Sequence, residues 1–79
     1  MNISKIRGII EETLDGKFKV LSVEYVLENK HNYLRITIDT IDLEDCIKAS
    51  KLVGPVIEDS NLTTDKYFLE VGSREEGEK

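Results

Sequence analysis

Residues 33–46 read YLRITIDTIDLEDC, and this stretch decides the fold because the spacing of its apolar residues changes partway along. From Tyr33 to Asp39 the alternation has the period of a β-strand with one buried face. The residues predicted to point inward are Leu34, Ile36 and Ile38, and those predicted to point outward are Tyr33, Arg35 and Thr37. Asp42 then offers the carboxylate of a helix N-cap, and Glu44 and Asp45 favour the positive end of the helix dipole. The stretch therefore predicts a strand followed at once by a helix.

A second alternating segment precedes the first, from Phe18 to Leu27. Its inward residues are predicted to be Leu21, Val23, Tyr25 and Leu27, and its outward residues Ser22, Glu24 and Val26. The polar run from Glu28 to Asn32 lies between the two segments and predicts a hairpin turn. Two strands joined by so short a connection pair antiparallel.

Two stripes of apolar residues at helical spacing flank this pair of strands. The first consists of Ile3, Ile6, Ile10 and Leu14, with Asn2 or Ser4 as the N-cap and Gly16 as a left-handed C-terminal cap. The second consists of Leu43, Cys46, Ile47, Ser50, Val53 and Ile57. Gly54-Pro55 interrupts the second stripe, and the proline predicts either a kink or a stop near Val53 with a short extra turn after it.

The last strand is predicted from Asp65 to Val71, with Tyr67, Leu69 and Val71 inward and Lys66, Phe68 and Glu70 outward. The predicted fold is α+β, a two-layer α-β-β-α-β domain with both helices packed on one face of a three-stranded sheet. This domain is expected to span residues 1–72. Residues 73–79 contain no apolar side chain and are expected to form a disordered charged tail.

The composition of the chain limits the kinds of partner that it is expected to bind. The chain has 79 residues and a formal net charge of −5. Phosphate neutralisation needs clustered Lys and Arg, so this balance argues against wrapping bare nucleic acid, and no DNA partner is expected. It suits a partner with basic patches, although an acidic surface also simply keeps a protein in solution. Cys46 is the only cysteine, no apolar run is long enough for a membrane span, and we expect a cytoplasmic protein.

The residues that could be catalytic or metal-binding are better explained by structural roles. His31 lies in the predicted turn, and Cys46 lies on the apolar stripe of the second helix with no base evident. Helix capping explains Asp42 and its acidic neighbours, and the calcium-loop pattern of alternating ligands around a glycine is absent. The sequence therefore predicts no catalytic residues, no metal site and no cofactor, and the protein is not expected to be an enzyme.

The uncovered face of the sheet is the surface most expected to meet a partner. Aromatic rings beside basic groups are how sheets hold single-stranded RNA. The candidate partner-binding residues are Tyr33, Arg35, Lys48, Lys51 and Phe68. A merely solvated face is the alternative interpretation, because three basic residues that do not clearly share a surface are few.

The ordered pattern resembles the N-terminal domain of the ribosome maturation factor RimP family. Residues 23–26 (VEYV) with 34–39 (LRITID) resemble its paired strands, 42–46 (DLEDC) its helix start, Ser50-Lys51 a frequent Ser-Arg pair, and 67–71 (YFLEV) its closing strand. The sequence departs from the family in two places. Only Thr40-Ile41 separates Asp39 from Asp42, where the family has a glycine-bearing loop. Gly72-Ser73 is followed by residues 74–79 (REEGEK), where the family continues Ser-Ser-Pro-Gly into an SH3-like second domain, so the sequence is expected to contain the N-terminal domain alone.

This resemblance implies a non-enzymatic binding module that assists assembly of the small (30S) ribosomal subunit, with ribosomal protein and rRNA as partners. A different function also fits the residues: a self-associating protein-interaction scaffold that pairs through an exposed sheet edge. The expected state is a monomer or a weak homodimer.

Overall fold

The computed structural model describes residues 2–61 and 66–74. Its elements are α1 (Ile3–Leu14), β1 (Val20–Glu28), β2 (His31–Ile38), α2 (Leu43–Asp59) and β3 (Phe68–Gly72). The predicted order α-β-β-α-β is confirmed. The last strand begins at Phe68, and Asp65, where it was predicted to begin, lies outside the described residues.

The sheet has the strand order β1-β2-β3, so β2 is central. β1 pairs antiparallel with β2, as predicted, and β3 pairs parallel with β2. A parallel neighbour requires the chain to cross back over the sheet, and α2 makes that crossing. The sheet is therefore mixed, and its second half is a β-α-β unit.

The hairpin between β1 and β2 is tighter than the sequence pattern indicates. Only Asn29 and Lys30 lie between the strands, and both have positive φ angles, 49° and 67°. Two consecutive residues with positive φ are typical of a type I′ turn, whose backbone twist matches the right-handed twist of the paired strands. Asparagine adopts positive φ more readily than most residues. The predicted turn from Glu28 to Asn32 is thus too long, and His31 lies in β2 instead of in the turn.

A bulge in β1 overturns part of the predicted inward set. Val20 pairs with Ile38 while Ser22 pairs with Thr37, so Leu21 is an extra residue without an opposite partner. Because the bulge adds one residue to β1, the alternation of inward and outward side chains shifts by one position on the N-terminal side of the bulge. Val20 is therefore buried and Leu21 is 38% exposed. Leu27 was also predicted to be buried, but it lies next to the hairpin turn and is 70% exposed.

Helix α2 differs from its prediction in two ways. It continues through Pro55 to Asp59, so the stop near Val53 is wrong. Proline removes a single backbone donor, and burial of Val53 and Ile57 on either side offsets that loss. The buried side consists of Cys46, Ala49, Val53 and Ile57, whereas Leu43 and Ile47, predicted to be in the stripe, are 62% and 56% exposed.

The predicted helix caps are present. The Asn2 side chain accepts a hydrogen bond from the Lys5 N–H at 3.2 Å, and the Asp42 carboxylate accepts one from the Glu44 N–H at 2.9 Å. Gly16 has a φ of 76°, in the left-handed region that lets the chain turn out of α1. These local bonds fix where each helix begins and ends.

The core forms a single layer between the helices and one face of the sheet. Both helices contribute to the same buried cluster, which confirms the predicted α+β fold with both helices on one side. Its members are Ile6, Ile10, Leu14, Val20, Val23, Leu34, Ile36, Ile38, Cys46, Ala49, Val53 and Ile57. Tyr25, Leu69 and Val71 pack against it from the strands, and Tyr67 packs against it from just before β3.

The chain remains attached to the sheet beyond the predicted end of the domain. Ser73 is buried, and the Arg74 N–H donates to the Thr40 carbonyl at 2.7 Å. The Arg74 guanidinium also pairs with the Asp39 carboxylate at 3.0 Å. Ser73 and Arg74 are thus held against the domain, and the boundary at residue 72 stays a prediction. The remaining part of the predicted tail, residues 75–79, lies outside the described residues.

We predict that Ile10→Ala lowers the free energy of unfolding by about 2–5 kcal/mol, because Ile10 is fully buried and the lost methyl groups leave a cavity. Ile47→Ala is the matched control on the other helix, since its side chain is largely exposed. It should change stability by only about 0.5 kcal/mol. Urea unfolding followed by circular dichroism measures both. Equal destabilisation by the two variants would contradict this core.

Candidate partner-binding face

The open face of the sheet, defined as the outward residues of β1, β2 and β3, is arranged in rows across the three strands. The register places Val26, Tyr33 and Phe68 side by side in one row. The next row consists of Glu24, Arg35 and Glu70, and the one after it of Ser22, Thr37 and Gly72. An apolar row with two aromatic rings therefore runs beside a charged row.

Arg35 is at the centre of the charged row and connects the two outer strands. Its Nη1 and Nη2 donate to the two carboxylate oxygens of Glu28 at 3.0 and 2.9 Å, and its Nε donates to Glu70 Oε2 at 3.2 Å. The hydrogen bonds to Glu28 and Glu70 raise the pKa of Arg35 against the opposing effect of desolvation, and the Glu28 bond is the largest cause. The guanidinium fork is thus already occupied by carboxylates.

The aromatic rings lie together at one end of the open face. The Tyr33 and Phe68 ring centroids are 5.6 Å apart at an interplanar angle of 32°, and His31 meets Phe68 edge-on at 5.4 Å. The Arg35 guanidinium carbon lies 5.5 Å from the Tyr33 ring centroid. Phe68 remains 55% exposed in spite of these neighbours. An exposed phenylalanine beside polar residues is a feature of interaction surfaces.

The charge of this face is negative. Glu24, Glu28 and Glu70 contribute three carboxylates around the single guanidinium of Arg35. Aromatic faces attract cations through their quadrupole, and carboxylates add direct Coulomb attraction. The arrangement therefore suits the basic side chains of a protein better than it suits phosphate groups.

The structure separates the five predicted partner-binding residues into two groups. Tyr33, Arg35 and Phe68 meet on the open face. Lys48 and Lys51 are exposed on α2, the layer that covers the opposite face. A single ligand on the open face does not reach both groups.

Glu28 and His31 are members of the open face that sequence reasoning missed, because both were placed in the turn. The signal that would have found them is the dipeptide Asn29-Lys30 between two alternating segments. Asparagine at the first position of a two-residue connection is typical of tight hairpins.

Other chemistry-bearing groups have structural surroundings. Cys46 is buried in the core, and burial raises the pKa of the Tyr67 hydroxyl, with a smaller contribution from the nearby Glu58 carboxylate. Over residues 2–61 and 66–74, no group of three or more His, Cys, Asp or Glu side chains is placed to hold a metal ion. In the same part of the chain, no helix is long and apolar enough to cross a membrane.

We predict that Glu70→Ala changes the chemical shift and speeds the solvent exchange of the Arg35 Nε–H, because that proton is donated to Glu70. Glu24→Ala is the matched control: Glu24 stands opposite Arg35 in the register, but within the described residues it forms no ion pair with it. Heteronuclear NMR of the arginine side chain measures both. If the two variants shift the resonance equally, the Arg35–Glu70 bond is not the one that forms in solution.

Comparison with known families agrees with this architecture. The family profile described as the RimP N-terminal domain matches residues 9–74, which is most of the chain. The match begins within α1, covers all three strands and α2, and ends at Arg74, the residue that attaches the chain to the end of β2. The chain therefore belongs to the RimP N-terminal domain family, a family of ribosome maturation factors.

Proposed function

We propose that this chain is a non-enzymatic binding domain that assists maturation of the small (30S) ribosomal subunit in the cytoplasm. Family membership supports a role in ribosome maturation. The open face supports a role through binding, because it combines an exposed aromatic row with a row of carboxylates. Its partner on the growing particle is a ribosomal protein, and rRNA supplies a second contact.

The observation that carries this proposal is the occupied state of Arg35. Both ends of its guanidinium already bond to carboxylates, so an RNA phosphate would have to displace Glu28 or Glu70. Ribosomal proteins have many Lys and Arg residues, and these side chains can stack on Tyr33 and Phe68 while they pair with the surrounding carboxylates. Arg35 then holds those carboxylates in place and acts as a positioning residue.

Contact with rRNA is assigned to the other layer. Lys48 and Lys51 are exposed on α2 and point away from the acidic open face. Lysine ammonium groups neutralise phosphate charge and release counterions, so such a contact weakens as salt rises. The rRNA contact would thus lie on a different layer from the protein contact of the open face.

A self-associating scaffold is the second candidate function. The observation in its favour is the position of β3 at the end of the sheet, where its outer side has no paired strand among the described residues. The net charge of −5 on each copy opposes it. Molar mass measured over a concentration series distinguishes the two, and a strict monomer removes this candidate.

We predict that the tagged chain co-sediments with immature small subunits at low salt and that replacing Tyr33 and Phe68 together by alanine lowers the retained fraction by about tenfold. Leu27→Ala is the control, since it removes an exposed apolar side chain from the opposite face near the hairpin. It should leave retention unchanged. Absence of co-sedimentation would contradict the proposed function.

The double variant Lys48→Ala with Lys51→Ala tests the rRNA contact separately. It should lower retention on the particles and also reduce the dependence of retention on salt, because two phosphate contacts are lost. The variant with Tyr33 and Phe68 replaced by alanine keeps both lysines, so its remaining retention should still depend on salt through the rRNA contact. If retention depends on salt equally in the lysine variant and in the Tyr33/Phe68 variant, α2 is not the rRNA contact.

A further inference from the structure

The outer edge of β3 pairs with no strand among residues 2–61 and 66–74, and the backbone orientation of β3 can be read from its ends. The Lys66 carbonyl accepts a hydrogen bond from the Asn32 side chain, and the Arg74 N–H donates to the Thr40 carbonyl, so both residues face the β2 side. Backbone groups alternate in direction along a strand. Phe68 and Glu70 therefore direct their N–H and C=O groups toward β2, whereas Leu69 and Val71 direct theirs outward.

A shallow, mainly apolar groove lies on the helix side, between α2 and Val71 of β3. It is lined by Leu43, Cys46, Ile47, Ser50 and Lys51 of α2 and by Val71 of β3. Leu43 and Ile47 are the most exposed apolar residues of α2, at 62% and 56%. The groove thus lies beside exposed aliphatic surface and beside an edge of β3 that no described strand covers.

The position of α2 explains why Leu43 and Ile47 are beside the edge. Val56 shares a surface depression with Ile9 of α1, so that side of α2 faces α1. Leu43 and Ile47 lie on the other side of the helix, beyond the buried line through Cys46 and Ala49. Gly54 approaches Leu69, which places α2 above β3. The side with Leu43 and Ile47 therefore overhangs the outer edge of the sheet.

We propose that the outer edge of β3 and the α2 groove above it form a strand-addition site for an extended protein segment in which apolar and basic residues alternate. The added strand bonds to the outward backbone groups of Leu69 and Val71. Its apolar side chains enter the groove under Leu43 and Ile47. Its basic side chains lie on the opposite face, beside Glu70 on the outward side of β3.

Charge decides between this occupant and a second copy of the chain. Two copies would each bring a net charge of −5, whereas a basic segment complements both the overall charge and Glu70. β1, the other edge strand, has a bulge at Leu21, which is a feature that discourages pairing. No bulge interrupts the β2–β3 register along Phe68–Gly72. The site deepens the proposed function, because a basic protein supplies such a segment, and its test needs no ribosome.

The test uses the whole chain and the synthetic peptide acetyl-KVKIKVK-amide, followed by calorimetry and by amide hydrogen exchange. We expect binding that slows exchange at Leu69 and Val71 by about tenfold and leaves Phe68 and Glu70, which already face β2, much less changed. Peptide KKVIVKK, with the same composition but no alternation, and EVEIEVE, with the opposite charge, should bind at least about tenfold more weakly.

Variants locate the site. Leu43→Ser and Ile47→Ser should each weaken peptide binding by about tenfold, since each removes apolar surface from the groove. Both side chains are largely exposed, so the fold is retained, and circular dichroism checks that. Leu27→Ser, an equally exposed apolar residue at the hairpin, should bind the peptide as the original chain does.

Four results of the peptide experiments would overturn the proposal. They are no binding at millimolar peptide, equal binding of the three peptides, unchanged affinity in both groove variants, and exchange protection elsewhere than at Leu69 and Val71. Self-association that Ile47→Ser abolishes would also overturn it, since a second copy would then be the occupant. If the peptide does not bind but the chain co-sediments with small subunits, this site is wrong and the proposed function stands. If the peptide binds as expected but the chain does not co-sediment, the site stands and the proposed function is wrong.

Discussion

Strand β2 is the element on which the rest of the structure depends. It is hydrogen-bonded to β1 on one side and β3 on the other, so every sheet contact passes through it. Its inward side chains, Leu34, Ile36 and Ile38, are at most 1% exposed and meet both helices in one cluster. A shift of one residue in β2 would bring these three to the solvent face, so the register of the sheet is strongly specified.

The same constraint creates the partner surface. Because Leu34, Ile36 and Ile38 must face the helices, the residues between them must face solvent, and Tyr33, Arg35 and Thr37 are thereby placed on the open face. Neighbouring strands then bring Phe68 beside Tyr33 and Glu70 beside Arg35. The domain has only two layers, so no further element covers this face among the described residues. The aromatic and acidic surface of this small domain is thus a direct consequence of which side chains the single core buries.

Errors in the sequence interpretation have local physical causes. Leu21 and Val20 have similar hydrophobicity, so alternation alone does not show which of them the bulge excludes from the pairing. Leu43 and Ile47 fit a helical stripe as well as Ala49 does, but small Ala49 lies where the helix approaches the sheet and is fully buried. Pro55 is a helix breaker by propensity, yet buried neighbours on both sides hold the helix together. At Pro55, tertiary packing outweighed a helix-propensity cost of about 3 kcal/mol.

The sequence by itself determined the order of elements, the caps at Asn2 and Asp42, the facing of β2 and the single-sided core, because these depend on spacing and on contacts between near neighbours. Only the tertiary structure decided that β3 runs parallel to β2, that Glu28 and Glu70 occupy the Arg35 guanidinium, and that Lys48 and Lys51 lie on the other layer. These features join residues far apart in the chain. They follow from strand order and from the path of α2 over the sheet, which local periodicity does not specify.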